Sequence, residues 1–271
     1  MPAYLKYISH FCAVLTLLTG VSFAQTPRAQ TFVPLLAAAH RTPSNVVRDP
    51  FRHPAETLAF FGIQPHHTVV EILPGSSGYY MEILAPWLKD KGLYIAANRD
   101  ASLPQYIPDH QKLLKRLQDE SALYGKVVVT QFRADHHPIA PAGSADVVIS
   151  FRNLHNWMER NELQESLKTF YLALKPGGVL GIVDHRGRTD QSQSAQILSG
   201  YVRQDVAIEL IEKAGFKLDA SSELNANPKD TKDHPEGVWT LPPAYRMKDK
   251  DREKYAAMGE SDRFTLRFVK R

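Results

Sequence analysis

Two short polar segments follow directly on apolar, Val-rich runs, and both carry side chains that acid–base chemistry uses. The first is Ser150-Phe151-Arg152-Asn153-Leu154-His155-Asn156-Trp157; the second is Asp184-His185-Arg186. His155 suits a general base for an oxygen or nitrogen nucleophile, because an imidazole titrates near neutrality. Asp184 or His185 would assist deprotonation, and Arg186 suits an acidic substrate group. Asn153 and Asn156 can orient an acceptor, and Trp157 can pack over a ring or a cation. Asn153, Asn156 and Trp157 equally fit a plainer role, capping and stapling the next helix. His155 and His185 on one sheet edge raise a metal alternative, with Glu223 or Asp230 as oxygen ligands. No tight ligand pair such as His-Glu-x-x-His is present, so no metal is expected.

Elsewhere, residues 67–80 read His-Thr-Val-Val-Glu-Ile-Leu-Pro-Gly-Ser-Ser-Gly-Tyr-Tyr. A β-branched run ends in an acid, a glycine turn follows, and a helical pattern begins at Tyr79. Glycines let the backbone turn sharply and approach a ligand. About a hundred residues later comes Leu174-Lys175-Pro176-Gly177-Gly178-Val179-Leu180-Gly181. Together these segments resemble a class I S-adenosylmethionine-dependent methyltransferase over roughly residues 60–270. The chain is also similar to a group of bacterial methyltransferases with export signals that share the Phe-Arg-Asn-x-His-Asn-Trp segment.

The resemblance implies S-adenosylmethionine as cofactor and a role for several residues. Glu71, Pro74, Gly75, Ser77 and Gly78 would form the loop that holds the donor's amino-acid part. Asn98 or Asp100 would meet the ribose hydroxyls, Asn98 fitting the strand end better, although a neutral amide is a weaker match than a carboxylate. Asp135 would bind the adenine amino group, and Arg152 and Asn153 would line the donor. The loop departs from acid-x-Gly-x-Gly-x-Gly: Leu73 takes the first glycine position, Ser77 the third, and Gly78 follows one later.

The elements that must position these residues alternate. Strands are expected at Thr68–Leu73, Leu93–Ala97, Lys126–Phe132, Ala145–Phe151 and Val179–Val183. Helices are expected at 54–61, 79–88, 111–123, 162–174 and 202–213, the last ended by Gly215. Such alternation argues for a doubly wound, Rossmann-like parallel sheet. The last strands, 216–224 and 264–269, lack a crossover helix and are expected to pair antiparallel, as in the seven-stranded methyltransferase sheet. Between them lies a long insertion, residues 225–263, carrying Trp239, Tyr245 and Tyr255. Loops of this length are usually functional or disordered; a lid over the substrate pocket and a homodimer contact are the two readings.

The N-terminus sets a separate constraint. Lys6, the apolar run Phe11–Val21 and the small-x-small site Ser22-Phe23-Ala24 match a secretory signal peptide over residues 1–24. An uncut membrane anchor is the minority alternative, since the run is short for a span. Residues 25–53, rich in Pro, Thr, Ala and Arg, are expected as an extended arm before a domain at 54–271. Cleavage would remove Cys12, the sole cysteine, and with it any thiol nucleophile. That suits a secreted or periplasmic location. A net charge of +4 without a Lys/Arg tract does not indicate a nucleic-acid binder, and none is expected as a partner. The expected function is methyl transfer to a small-molecule acceptor. The alternatives are a secreted, non-catalytic ligand-binding protein on the same fold, or a His-based hydrolase.

Overall fold

The computed structural model describes residues 27–135 and 138–271; the signal-peptide reading of residues 1–24 lies outside them. In chain order the elements begin with four one-turn helices, α1 (Pro27–Gln30), α2 (Val33–Leu36), α3 (Pro43–Val46) and α4 (Asp49–Arg52). Then follow α5 (Pro54–Phe60), β1 (Thr68–Ile72), α6 (Met81–Leu88), β2 (Leu93–Arg99), α7 (Ile107–Asp119), α8 (Ser121–Tyr124), β3 (Val128–Phe132) and β4 (Ala145–Phe151). The chain closes with α9 (Leu154–Glu159), α10 (Leu163–Ala173), β5 (Leu174–His185), α11 (Gln193–Gln196), α12 (Gln204–Lys213), β6 (Phe216–Ser222), α13 (Arg252–Met258) and β7 (Arg263–Lys270).

The seven strands form one sheet in the order β3–β2–β1–β4–β5–β7–β6. β1 to β5 are parallel, and β7 runs antiparallel to both β5 and β6. This is the expected doubly wound α/β sheet, with its antiparallel last strand and the long insertion before it. The physical cause is visible in β1 and β4, whose residues are buried almost without exception. A strand covered on both faces reads as a continuous apolar run rather than an alternating one.

Two apolar cores result, one on each face. Leu163, Leu167 and Phe170 of α10, at helical spacing, bury into the first beside Val70, Ile72 and Leu180. Phe61, Ile83, Leu84 and Val147 are among the residues of the second. Phe61 and Phe170 are fully buried, each stabilising the fold by about 2 kcal/mol of transfer energy. Gly181 of β5 is required for contact: a Cβ there would lie 2.7 Å from the Phe61 ring.

The N-terminal segment differs from its expectation. Over its described part it is a set of helical turns docked on the domain, not an extended arm. Phe32 is buried against Trp87, with ring centroids 4.5 Å apart. Arg41 pairs with Asp49 at 2.5 Å and lies 3.7 Å from Glu82 on α6. Prolines at the first turns of α2 to α5 favour repeated helix starts. No helix among the described residues is long and apolar enough to cross a membrane.

Candidate active site

In a doubly wound sheet the ligand edge is the one where the parallel strands end. Here that edge gathers the turn after β1, the end of β2, the segment after β4, the end of β5 and the start of β7. The first and second hold the expected donor residues; the others hold the histidines.

The turn after β1 is tied down from outside. Asn45 donates to the Ser77 carbonyl at 3.1 Å, Arg116 of α7 donates to the same oxygen at 2.9 Å, and Asp109 accepts from the Ser76 N–H at 3.2 Å. Gly75 has φ +65° with no atom within 4 Å of where a Cβ would point, so its outer side is open. Leu73, at the first glycine position, is held at φ 54°, a conformation that costs a non-glycine residue about 1 kcal/mol. Pro74 is half-buried, Ser77 is exposed and Gly78 is buried.

Glu71, near the end of β1, is buried and accepts a hydrogen bond from Tyr94 at 2.5 Å. Burial pushes its carboxyl up to about 7, against the opposing effects of Tyr94 and Arg52. Asn98 is fully buried, and neither its Nδ2 nor its Oδ1 has a partner. A cavity of about 110 Å³ opens between the ends of β1, β2 and β3, lined by Leu73, Asp100, Tyr106, Phe132 and Trp157 among others. Asp100, not Asn98, lines it; Asp100 is 3.3 Å from Arg133 and accepts from the Ser102 N–H at 2.9 Å. Asp135 stands apart, exposed and paired with Arg133 at 3.2 Å.

These features are compatible with the nucleoside part of a donor. The cavity is walled by aromatic rings and carries a carboxylate at the end of β2, while the adjacent buried amide has unspent donor and acceptor capacity. The backbone at Gly75 leaves room for a close approach.

The β4–β5 side holds a hydrogen-bonded group centred on Asp184. Asp184 is fully buried at the end of β5. Its Oδ1 lies 3.0 Å from His155 Nδ1 and accepts the His185 N–H at 2.7 Å; its Oδ2 accepts the Leu154 N–H at 2.6 Å. Burial alone would raise this carboxyl, but His155 and the hydrogen bonds outweigh it and hold Asp184 below the usual carboxylate range. An ionised Asp184 fixes the His155 tautomer: Nδ1 donates and Nε2 keeps its lone pair. His185 stacks beside His155 with ring centroids 5.2 Å apart, and its Nδ1 lies 2.5 Å from Ser261 Oγ. Burial drives His185 well below its ordinary pKa, so it is neutral near pH 7.

Asn153 links the two sides, donating to the Ile72 carbonyl at 3.3 Å and to Ser150 Oγ at 3.2 Å. Arg152 sits at φ 60°, half-buried, directly after β4. Asn156 is half-buried on the first turn of α9. Trp157 does not reach the histidines. It packs in the core against Phe132 and Phe170, at 5.5 and 5.3 Å, and lines the cavity on the other side. The ring beside His155 is Trp239 of the insertion, with centroids 5.9 Å apart. Arg186 is also engaged elsewhere: it pairs with Glu223 at 2.6 Å and donates to the Arg263 carbonyl at 3.3 Å.

Ser261 and Trp239 belong to segments that the sequence offers as a lid or dimer contact (225–263) and as reaching the active-site mouth or serving as turn chemistry (259–263), without being site residues by name. The signal for Ser261 was its place just before the last strand, in Gly259-Glu260-Ser261-Asp262-Arg263; for Trp239 it was an aromatic ring inside a long polar insertion. The insertion itself is anchored by Asn225, which donates to Thr57 at 3.1 Å and Thr265 at 2.9 Å, and by Asp230 against Tyr201 and His234.

His155, Asp184 and His185 are also a group whose ligand atoms, all within 4.8 Å of one another, could hold a metal ion. Both Asp184 oxygens already accept backbone N–H bonds, however, and Arg152 and Arg263 act on His185 from nearby. That donor set and that charge suit a hydrogen-bonded dyad better than a cation. Glu223 and Asp230 are committed to other partners.

A model of the methyltransferase-domain family matches residues 101–182, which span β3, β4 and most of β5. A search of curated proteins by sequence found no match. Among solved structures, a SAM-dependent methyltransferase from Aquifex aeolicus is similar with TM-score 0.56 and 16% identity, covering 89% of this chain and 97% of that one. A putative sarcosine dimethylglycine methyltransferase from Galdieria sulphuraria gives TM-score 0.57 and 14% identity, covering 82% and 84%. A cyclase, SpnF, gives 0.55 and 15%, covering 81% and 80%. The sheet order and these likenesses show that the chain has the class I S-adenosylmethionine-dependent methyltransferase fold, and the methyltransferase-domain match lies within it.

Proposed function

We propose that the protein transfers a methyl group from S-adenosylmethionine to an oxygen or nitrogen of a small-molecule acceptor, with His155 as general base. The observation that carries this reading is the buried Asp184–His155 pair, 3.0 Å apart, on the edge shared with the Gly75 turn. When bound, the donor supplies an electrophilic methyl on a sulfonium. The chain's task is then alignment, which alone can provide a large part of a rate enhancement. Gly75 leaves space for the donor's amino-acid part, Asn153 ties the β1 and β4 ends into one rigid edge, and Asp100 meets the ribose. His155 Nε2 takes the acceptor's proton as the methyl moves, while Asp184 stabilises the imidazolium. Trp239 covers His155 and excludes water from it, which makes the 225–263 insertion part of the acceptor site.

Export belongs to the same reading and rests on the residue 1–24 pattern; cell fractionation and N-terminal sequencing of the mature chain would test it. The catalytic reading is tested by calorimetric titration of the chain from Gln25 with S-adenosylmethionine and S-adenosylhomocysteine. Micromolar binding of both is expected. A folded sample that binds neither would sink it.

A further inference from the structure

The histidine edge borders an unusual concentration of buried positive charge. Glu260, 3% exposed, accepts from Arg48 Nε at 2.7 Å, Arg52 Nε at 3.3 Å and Arg263 Nη1 at 2.9 Å. Arg52 and Arg263 are each 3% exposed. Three guanidiniums thus share one carboxylate, and each retains a buried nitrogen with no partner: Arg48 Nη2, Arg52 Nη2 and Arg263 Nε. Arg152 feels the charges of Arg52, Glu260 and Arg263 and has no side-chain hydrogen bond or ion pair among the described residues. Burial and the like charges of Arg52 and Arg263 lower its pKa to about 9. Buried charged donors normally find acceptors, so unspent N–H groups at this density point to an absent anion.

The cluster belongs to the active edge by position. Arg263 is the register partner of His185 across β5 and β7. Ser261, next to Glu260 in the chain, contacts His185. Arg152 lies three residues before His155 in the segment after β4. Glu71 acts on Arg52, but burial raises its carboxyl to about 7 and so weakens its charge. Tyr79 presents its ring to Arg52 at 4.4 Å, and Asp49 is taken by Arg41 and by the Tyr79 hydroxyl. A cavity of about 170 Å³ borders Glu260 and Arg263 and is lined further by His53, Asn225, Asn227 and Lys229. Arg186, which the sequence offered for an acidic substrate, pairs with Glu223 through Nη1, and its buried Nε likewise has no hydrogen-bond partner.

We propose that Arg52, Arg152 and Arg263 form a recognition site for an anionic group, a carboxylate or phosphate, on the methyl acceptor, next to the His155–Asp184 pair. The proposal rests on the methyltransferase reading for the word acceptor, and on the arginine cluster for the anion. Guanidinium forks match carboxylate and phosphate oxygens in pairs, which selects against neutral analogues. Glu260 holds the arginines together in the absence of the ligand and competes weakly with it.

Inorganic phosphate and acetate serve as probes, with binding followed by NMR titration and by melting temperature on the chain from Gln25. Wild type should bind phosphate saturably. Arg152→Gln should weaken binding at least tenfold while melting within a few degrees of wild type without anion. Glu260→Gln should melt lower but be rescued by phosphate more than wild type is, since the arginines lose the carboxylate they share. Equal affinity in wild type and Arg152→Gln, or no saturable binding to either, would overturn the proposal. Saturation with S-adenosylhomocysteine separates the sources of the anion. Unchanged phosphate affinity assigns the site to the acceptor. Competition by S-adenosylhomocysteine but not by methylthioadenosine, which lacks the amino-acid part, would give the site to the donor's own carboxylate and overturn the assignment. Homocysteine-adduct binding with no phosphate binding removes the anion site alone. The reverse removes the methyltransferase reading and leaves only an anion site.

Discussion

The β1–β2 half of the sheet edge and the Asp184–histidine group at the ends of β4 and β5 differ in how fully their polar groups are spent. In the first, Leu73 occupies a left-handed turn position, Asn98 has neither partner satisfied, and the Gly75 side is open. In the second, Asp184 accepts three hydrogen bonds and both histidines are seated by named neighbours. The contrast teaches that order at this edge is concentrated where proton transfer is proposed, while the donor half and the arginine cluster beside β7 have polar capacity left over for ligands. Buried polar networks rigidify a site only when complete.

The strongest way to break this comparison is Gly75→Val. A β-branched residue is a genuine outlier at φ +65° and its side chain would enter the open space. Binding of S-adenosylhomocysteine should fall more than about a hundredfold, on the scale set by about 1.4 kcal/mol per decade; affinity within a few fold of wild type would show that the donor does not sit there. Next comes His155→Ala. Turnover of an acceptor should drop by about 10² to 10⁴, with donor affinity nearly unchanged. Equal losses in both would mean that the histidine holds the donor rather than the proton.

A third prediction concerns Glu71, which separates structural from donor-holding roles. Burial raises its folded-state pKa to about 7, above the 4.5 of an exposed glutamate. The native state therefore prefers the proton, a stabilisation fully present below pH 4.5 and lost as pH rises through 7. Glu71→Gln keeps an acceptor for Tyr94 and has no charge to bury. In urea melts it should match wild type near pH 4.5 and exceed it by about 3 kcal/mol at pH 8. A constant difference across that range would show Glu71 to be ionised in the fold throughout. The smallest effect is expected from Leu73→Gly. Relief of the left-handed strain, about 1 kcal/mol, is offset by lost packing and greater freedom of the unfolded chain. Stability should change by less than about 1 kcal/mol, so any gain in donor affinity would identify Leu73 as the cause of a loosened turn.

Much of the architecture was legible in the residues. β4 falls on the expected 145–151, and Phe216 begins the expected strand. The boundaries that moved did so for local reasons. α7 starts at Ile107, four residues early, where Pro108 suits a first helical turn, and β5 extends back to Leu174 because its start pairs with Ala145. The site was less legible. His155 and Asp184 were both singled out, but their contact spans 29 residues. Trp157 sat in the promising segment and went to the core, because α9 turns that face toward Phe132 and Phe170.

The sequence by itself determined the elements and their order, since the period of apolar residues and the glycine turns act within a few residues of chain. It also determined which strand ends would carry polar side chains. Only the tertiary structure decided which polar groups meet: Ser261 with His185, Trp239 with His155, and Arg48 with Glu260 across 212 residues. Those pairings depend on how the N-terminal turns and the 225–263 insertion dock on the sheet edge. Docking is set by burial and long-range hydrogen bonds, such as Asn225 to Thr57 across 168 residues, which local pattern does not encode.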